Sequence, residues 1–247
     1  MRGCLSALAL LFSLTCAQAQ TLKMESPRTQ ARLLELYTSE GCSSCPGADR
    51  WLSTLTDDRR LWNELVPVAF HVDYWDYMGW SDKYALPAYG DRQRKYARAG
   101  NIKTVYTPGF VLNGEEWRVW FRDHEIPSFQ PIEVGSLKVD VHDGRGRVVF
   151  DASTSVNLDI AQLHMTILGF DLATEVQAGE NRGRVLHHDF TVLSYVSTPL
   201  SKQVDGFAAE IQLPLVEEPA DRMALAVWVT DRRGPEPIQA TGGWLSE

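Results

Sequence analysis

Cysteine is scarce in this chain, and what little there is falls into two kinds. Of the four cysteines, Cys4 and Cys16 lie in an N-terminal stretch that has the marks of a secretory signal. Arg2 precedes the apolar run Leu5 to Leu14, and Ala17-Gln18-Ala19 supplies a small-x-small cleavage pattern. Lipidation of Cys16 is the rival reading, but Ser13 and Thr15 fit the lipid-attachment pattern poorly. Residues 1–19 are therefore expected to be removed, leaving Cys42 and Cys45 without any other intramolecular partner. A second cysteine pair is missing, which argues against a structural zinc site. Basic residues are also short, 24 Lys and Arg against 32 Asp and Glu for a formal charge of −8, and they form no cluster. A nucleic-acid partner, which demands phosphate neutralisation, is excluded on that ground. After the leader no run is apolar enough to cross a bilayer as a helix. The expectation is an exported bacterial protein, periplasmic or secreted, with no metal, no cofactor and no transmembrane segment in the mature chain.

What is present is a short chemical stretch. The run Leu33-Leu34-Glu35-Leu36-Tyr37 has strand character and breaks at Ser39-Glu40-Gly41; Cys42-Ser43-Ser44-Cys45-Pro46 follows. Ala48, Trp51, Leu52 and Leu55 then recur at helical spacing on one face. Pro46 fits a first helical turn, where its missing N–H costs nothing. Cys42 thus precedes a helix N-terminus, and the unpaired N–H groups and dipole there favour a thiolate. A second thiol two residues further on can resolve a mixed disulfide without large rearrangement. Cys42 reads as nucleophile and Cys45 as resolving thiol. The rival reading is a static disulfide, since an oxidising compartment leaves most exposed pairs bonded.

Further along, Val66 to Val72 is a second strand, so that strand, helix and strand predict a parallel pair with a right-handed crossover. Residues 73–100 look like an insertion, aromatic at first and helical from Asp91 to Ala99; Trp75 and Trp80 are the two rings expected to face solvent and line a substrate groove. Phe110 to Leu112 and Trp117 to Trp120 flank Asn113-Gly114, a strong hairpin signal, with Thr107-Pro108 directly before it. From residue 131 the texture changes to alternation. Leu137, Val139 and Val141, then Leu163, Met165 and Ile167, then Leu225, Val227 and Val229 keep a period of two, which suggests an antiparallel β-sandwich.

This order of signals resembles the thioredoxin fold. More narrowly, Glu35 to Pro46, Phe70 to Asp76 and Tyr106-Thr107-Pro108 resemble an exported bacterial thioredoxin-like family of unknown function with a Glu-Gly-Cys-Ser-Ser-Cys-Pro motif. The resemblance, over roughly residues 30–125, implies an α/β thioredoxin-like domain for residues 20–130, and the alternation beyond it gives an antiparallel β-sandwich-like domain over 131–247. It also implies that Pro108 is cis beside the cysteines and that Thr107 pairs with a bound extended peptide. The cysteine pair itself points to thiol–disulfide exchange on a disulfide-containing protein or thiol substrate, with a redox partner protein as a further expectation, and the uncharged Ser43-Ser44 between the cysteines leans it to reductase or isomerase. A non-catalytic binding module with a structural disulfide is the alternative.

Glu35 is the remaining candidate. In an apolar strand its carboxylate is expected to be desolvated and able to hand a proton to Cys45; the alternative is a carboxylate held by local hydrogen bonds. His71 and Asp73 would share one strand face, and His187 and His188 opposite faces; neither pair makes a metal site. Gly179 to Gly183 reads as a loop, not a phosphate cradle.

Overall fold

A computed structural model of the protein describes residues 21–246. The signal-like segment, with Cys4 and Cys16, lies outside the described residues. The strands and helices are, in chain order, β1 (Thr21–Glu25), β2 (Arg32–Thr38), α1 (Pro46–Ser53), β3 (Leu65–His71), α2 (Pro87–Ala99), β4 (Gly109–Leu112) and β5 (Glu115–Glu116). There follow β6 (Gly135–His142), β7 (Arg145–Ala152), β8 (Ala161–Phe170), β9 (Leu172–Glu175), β10 (Val185–His188), β11 (Thr191–Gln203), β12 (Gly206–Gln212), β13 (Arg222–Asp231) and β14 (Pro237–Ser246).

The first of these units follows from its sequence. β2 is buried along its whole length, as a strand must be when it is paired on both edges and covered on both faces. It runs parallel to β3, with Leu36 opposite Ala69, and antiparallel to β4, with Leu36 opposite Phe110. α1 crosses between β2 and β3, begins at Pro46 and carries Trp51, whose ring packs edge-on against Phe110, Trp117 and Trp120 at 5.2, 5.4 and 5.9 Å. α2 also begins on a proline and stops at Gly100, whose φ of +85° is the left-handed cap that glycine adopts without penalty. The expected second hairpin strand over Trp117 to Trp120 does not form. Only Glu115–Glu116 pairs back, and Arg118–Phe121 makes a 3₁₀ turn that turns Trp120 into the aromatic cluster.

The expected class, an α/β thioredoxin-like domain followed by a separate β-sandwich, is overturned. The chain is mostly β, and strands from both halves join one mixed sheet of 12 strands. Its order is β1-β6-β7-β12-β11-β3-β2-β4-β5, while β8, β13 and β14 branch from β11. The long strand β11 makes the junction: Thr191 pairs in parallel with Ala69 of β3, residues as far as Leu200 pair with β8, and Ser201 to Gln203 turn back onto β12.

The physical reason lies in the two faces of β8 and β13. Leu163, Met165, Ile167, Leu225, Val227 and Val229 point into a core shared with Leu137, Val139 and Phe150. The intervening Leu168, Phe170, Ala224, Ala226 and Trp228 point the other way, into the core built by Leu33, Leu36, Phe70 and Phe110. The same strands therefore cover both cores. Burying a side chain of this size is worth about 1.5–3 kcal/mol, so a layer apolar on both faces stays sandwiched between its neighbours. Alternation exposed one apolar set; the other, interrupted by His164 and Thr166, did not register as a buried face.

Candidate functional site

The two cysteines form a disulfide with Cα atoms 5.4 Å apart. Cys45 is the N-cap of α1, and Cys42 precedes it in a turn closed by the Cys45 N–H donating to the Cys42 carbonyl at 3.2 Å. Ser43 and Ser44 are exposed. Both cysteines are 0 % exposed, which decides how the pair is read: nothing in solvent touches a sulfur that the turn was expected to present.

The Cys42 sulfur lies 3.3 Å from the Ser44 hydroxyl, and a loop from the second half of the chain holds the backbone of this turn as its cover. Residues 176–184 connect β9 to β10, and Asn181, itself 0 % exposed, donates from Nδ2 to the carbonyls of Glu40 and Cys42 at 2.8 and 3.0 Å. Its Oδ1 is held in turn by Arg184 at 2.7 Å. Glu180 accepts the Ser43 N–H at 3.0 Å, and the hydrogen bonding from Ser43 holds its carboxyl below the usual range. A carboxylate from the chain itself thus occupies a donor of the cysteine turn, near the electropositive start of α1. Gly179, with φ +72°, lies against Trp80.

Trp75 and Trp80 are half-buried, whereas Tyr77 and Met78 between them are exposed. This corrects the expectation that the two indoles face solvent. Each is held by its N–H. Trp75 donates to Thr107 Oγ1 at 2.7 Å and lies so close to the cysteine turn that a Cβ on Gly41 would meet its own Cβ at 3.0 Å. Trp80 donates to Glu40 Oε2 at 2.7 Å. Trp75 thereby brings Thr107, and the cis Thr107–Pro108 bond that follows it, to the cysteine turn.

Glu35 is buried, but it belongs to a different constellation. It forms a bidentate pair with Arg92 at 2.7 and 2.8 Å and accepts the hydroxyls of Tyr37 and Tyr96 at 2.7 and 2.5 Å. Burial, reinforced by the adjacent carboxylate, raises the pKa of both tyrosines, and Glu35 with its tyrosine neighbours outweighs the burial of Arg92 to keep its guanidinium charged. The carboxylate is saturated by these donors, and none of its hydrogen bonds reaches Cys42 or Cys45.

The sequence did not bring together the buried groups that do lie beside the cysteine turn. Glu40, His71, Asp82, Asp49 and His188 are all buried. His71 Nδ1 pairs with Asp82 Oδ2 at 2.7 Å, and the same oxygen accepts the Glu40 N–H at 2.8 Å. Burial opposes charge on His71, but the Asp82 carboxylate, helped by Asp49 and Glu40, wins and raises its pKa. Burial likewise pushes Asp82 up, and His71 pulls it below its ordinary value. Burial raises Asp49 despite the two imidazoles. His188 meets His71 edge-on at 4.9 Å, and its Nε2 lies 3.4 Å from Glu40 Oε1 without hydrogen-bond geometry. Among the described residues, His71 Nε2, both ring nitrogens of His188 and Glu40 Oε1 have no hydrogen-bond partner. The local signal was only a histidine in a strand; its partner His188 is brought in from β10, and no spacing rule reaches that far. Among the described residues, no group of three or more His, Cys, Asp and Glu side chains is arranged to hold a metal ion, and no helix is long and apolar enough to cross a membrane.

A family model described as a protein of unknown function (DUF1223) matches residues 33–230. The chain belongs to that family. The match runs from β2 through β13, so the disulfide turn, its cover and the shared β layer all fall within the DUF1223 region. No curated protein matches the chain. Two solved structures share the fold. Protein AGR_C_4864 from Agrobacterium tumefaciens aligns with a TM-score of 0.58 at 21% identity, over 90% of this chain and 95% of that one. HBP35 of Porphyromonas gingivalis aligns with a TM-score of 0.58 at 15% identity, over 88% and 76%. Identities this low carry the fold of the DUF1223 chain and nothing of its chemistry.

Proposed function

We propose that this protein is a binding module and that Cys42–Cys45 is a structural fastener. The observation that carries this reading is the complete burial of both cysteines, in a turn whose Glu40 and Cys42 carbonyls are held by Asn181. Disulfide exchange needs a thiolate to reach a sulfur, and access limits it as firmly as pKa does. A four-residue loop gains little from closure entropy, so the contribution of the bond is local. It fixes the turn that presents the Glu40 and Cys42 carbonyls and the Ser43 N–H to the 176–184 loop, and so ties α1 to β10. An oxidising, extracytoplasmic compartment suits such a fastener.

Incubation with glutathione buffers and with insulin, set beside Cys42→Ser, tests the reading. Wild-type turnover no greater than that of the variant is expected; insulin reduction that depends on Cys42 would overturn it. The second reading, a thiol–disulfide oxidoreductase that lifts its cover to act, is favoured by one observation. Trp75 gathers the helix-start cysteine turn and Thr107 beside the exposed Ser43 and Ser44. The same assay decides between them.

A further inference from the structure

We infer that the outer edge of β11 is a docking site for an extended peptide that carries a basic side chain. This deepens the reading as a binding module and rests on it. Thr191 to Leu200 pair with β8 along one edge. Along the opposite edge, strand pairing within the described residues occurs only at Thr191, with Ala69 of β3. Past Leu200 the strand turns into its hairpin with β12. Between these points a row of backbone donors and acceptors lacks a strand partner, and Leu193 to Pro199 are half-buried or exposed.

A groove of about 420 Å³ is lined by Val192 to Tyr195, so it reaches the first part of this edge, Ser194 and Tyr195. Leu86 and Tyr89 of α2 and its approach line it too, as do Leu215 and Val216. Leu215 is 85% exposed and Leu86 48%, so the apolar surface there is uncovered. An unpaired strand edge between apolar walls selects an extended backbone: main-chain hydrogen bonds supply affinity, and alternate side chains enter the walls. The bulge at Leu193 and the missing N–H of Pro199 confine pairing to residues 194–198. Charge chooses the sequence. Glu217 and Glu218 face a single Lys83 at the rim, leaving the groove net negative and suited to a Lys or Arg on the peptide.

The edge of β1 shows the contrast. It is short and laddered with charge, Lys23 to Asp140 and Lys138 to Glu25, the pattern by which natural sheets discourage pairing. β11 carries no such charge between Ser194 and Thr198, and its bulge and Pro199 blunt only the two ends of that stretch.

The test uses the full chain and three capped peptides: alternating Val and Thr flanked by Lys, the same with Glu in place of Lys, and the Lys peptide with a central Pro. Calorimetry and amide exchange are the readouts. The Lys peptide should bind and slow exchange at residues 194–198, and the Pro peptide should not. Leu215→Asp, a surface change, should weaken binding at least tenfold, and Glu217→Lys with Glu218→Lys should reverse the preference for Lys over Glu. Absence of binding, binding without protection of those amides, or a concentration-dependent dimer that protects them without peptide would overturn the inference. Cys42-dependent insulin reduction alongside intact peptide protection would remove the binding-module reading and leave the edge. Lost protection with an inert disulfide would remove the edge alone.

Discussion

Two buried polar clusters lie against the strands of the first half, and they are finished to different degrees. Around Glu35 every carboxylate lone pair is engaged by Arg92, Tyr37 or Tyr96, and the Tyr96 oxygen lies 3.0 Å from the Pro235 carbonyl. Around Glu40 the pairing stops short. The His71–Asp82 pair is complete, yet among the described residues both nitrogens of His188, one of His71 and one oxygen of Glu40 have no hydrogen-bond partner. Both clusters tie the first half of the chain to the second, so burial alone does not separate them. The difference teaches that the carboxylate closest to catalytic expectation, Glu35, is the one with no capacity left, while spare capacity sits beside the disulfide.

The comparison is broken most severely by truncating the saturated cluster. Arg92→Met leaves Glu35 buried without its counter-charge and is expected to cost about 3–5 kcal/mol in urea unfolding. Restoring neutrality with Glu35→Leu in the same chain should recover part of that loss, whereas an additive double variant would mean that the two groups are not coupled. Next in size is Asn181→Ala, which deprives the Glu40 and Cys42 carbonyls of their donors. About 1–3 kcal/mol is expected, together with faster amide exchange across residues 176–184; unchanged exchange would detach that loop from the cysteine turn.

The pH profile sharpens the contrast from another side. His71 has a raised folded pKa, so its stabilisation is complete below the unfolded value of about 6.5 and is lost as pH rises through the folded one. Asp82, lowered when folded, contributes fully above about 3.9 and loses that contribution as pH falls through its folded value. His164 behaves oppositely to His71. Burial, with Arg92 and Lys95 nearby, holds its pKa well below the ordinary range, and it stacks on Trp228 at 5.2 Å. The unfolded chain then takes up a proton that the folded chain refuses, and stability falls as pH drops below about 6.5. Unfolding measured across pH should therefore lose its alkaline limb in His71→Asn and keep it in His164→Gln. The smallest effect belongs to Glu180→Gln. Its carboxylate is solvent-exposed, so faster exchange at Ser43 in low salt is expected, with the global midpoint unmoved.

Much of the local structure was legible because it is written in local rules. Pro46 opening α1, Gly100 ending α2 and the alternation of Leu137, Val139 and Val141 each describe an interaction within one element or between neighbours. The Asn113-Gly114 turn was legible too, but its second strand was not, because Trp117 and Trp120 prefer the ring of Trp51 to a ladder partner. The fold class was misread for a related reason. Thr191 meets Ala69 across more than a hundred residues, and Ala224, Ala226 and Trp228 look like an unremarkable outer face until the first core is placed against them. The candidate site divides in the same way. The cysteine pair and its place at a helix start could be read directly, but the hold on its turn comes from Asn181, a residue in a glycine-flanked loop with no signal beyond turn propensity.

The account turns on whether the disulfide is sealed in the folded protein, and the rate of its reduction by dithiothreitol measures this directly. Reduction in native buffer should be slower by orders of magnitude than in unfolding guanidinium, and Asn181→Ala should close much of that gap. A native protein reduced as fast as the unfolded chain, with Asn181→Ala no different, would contradict it.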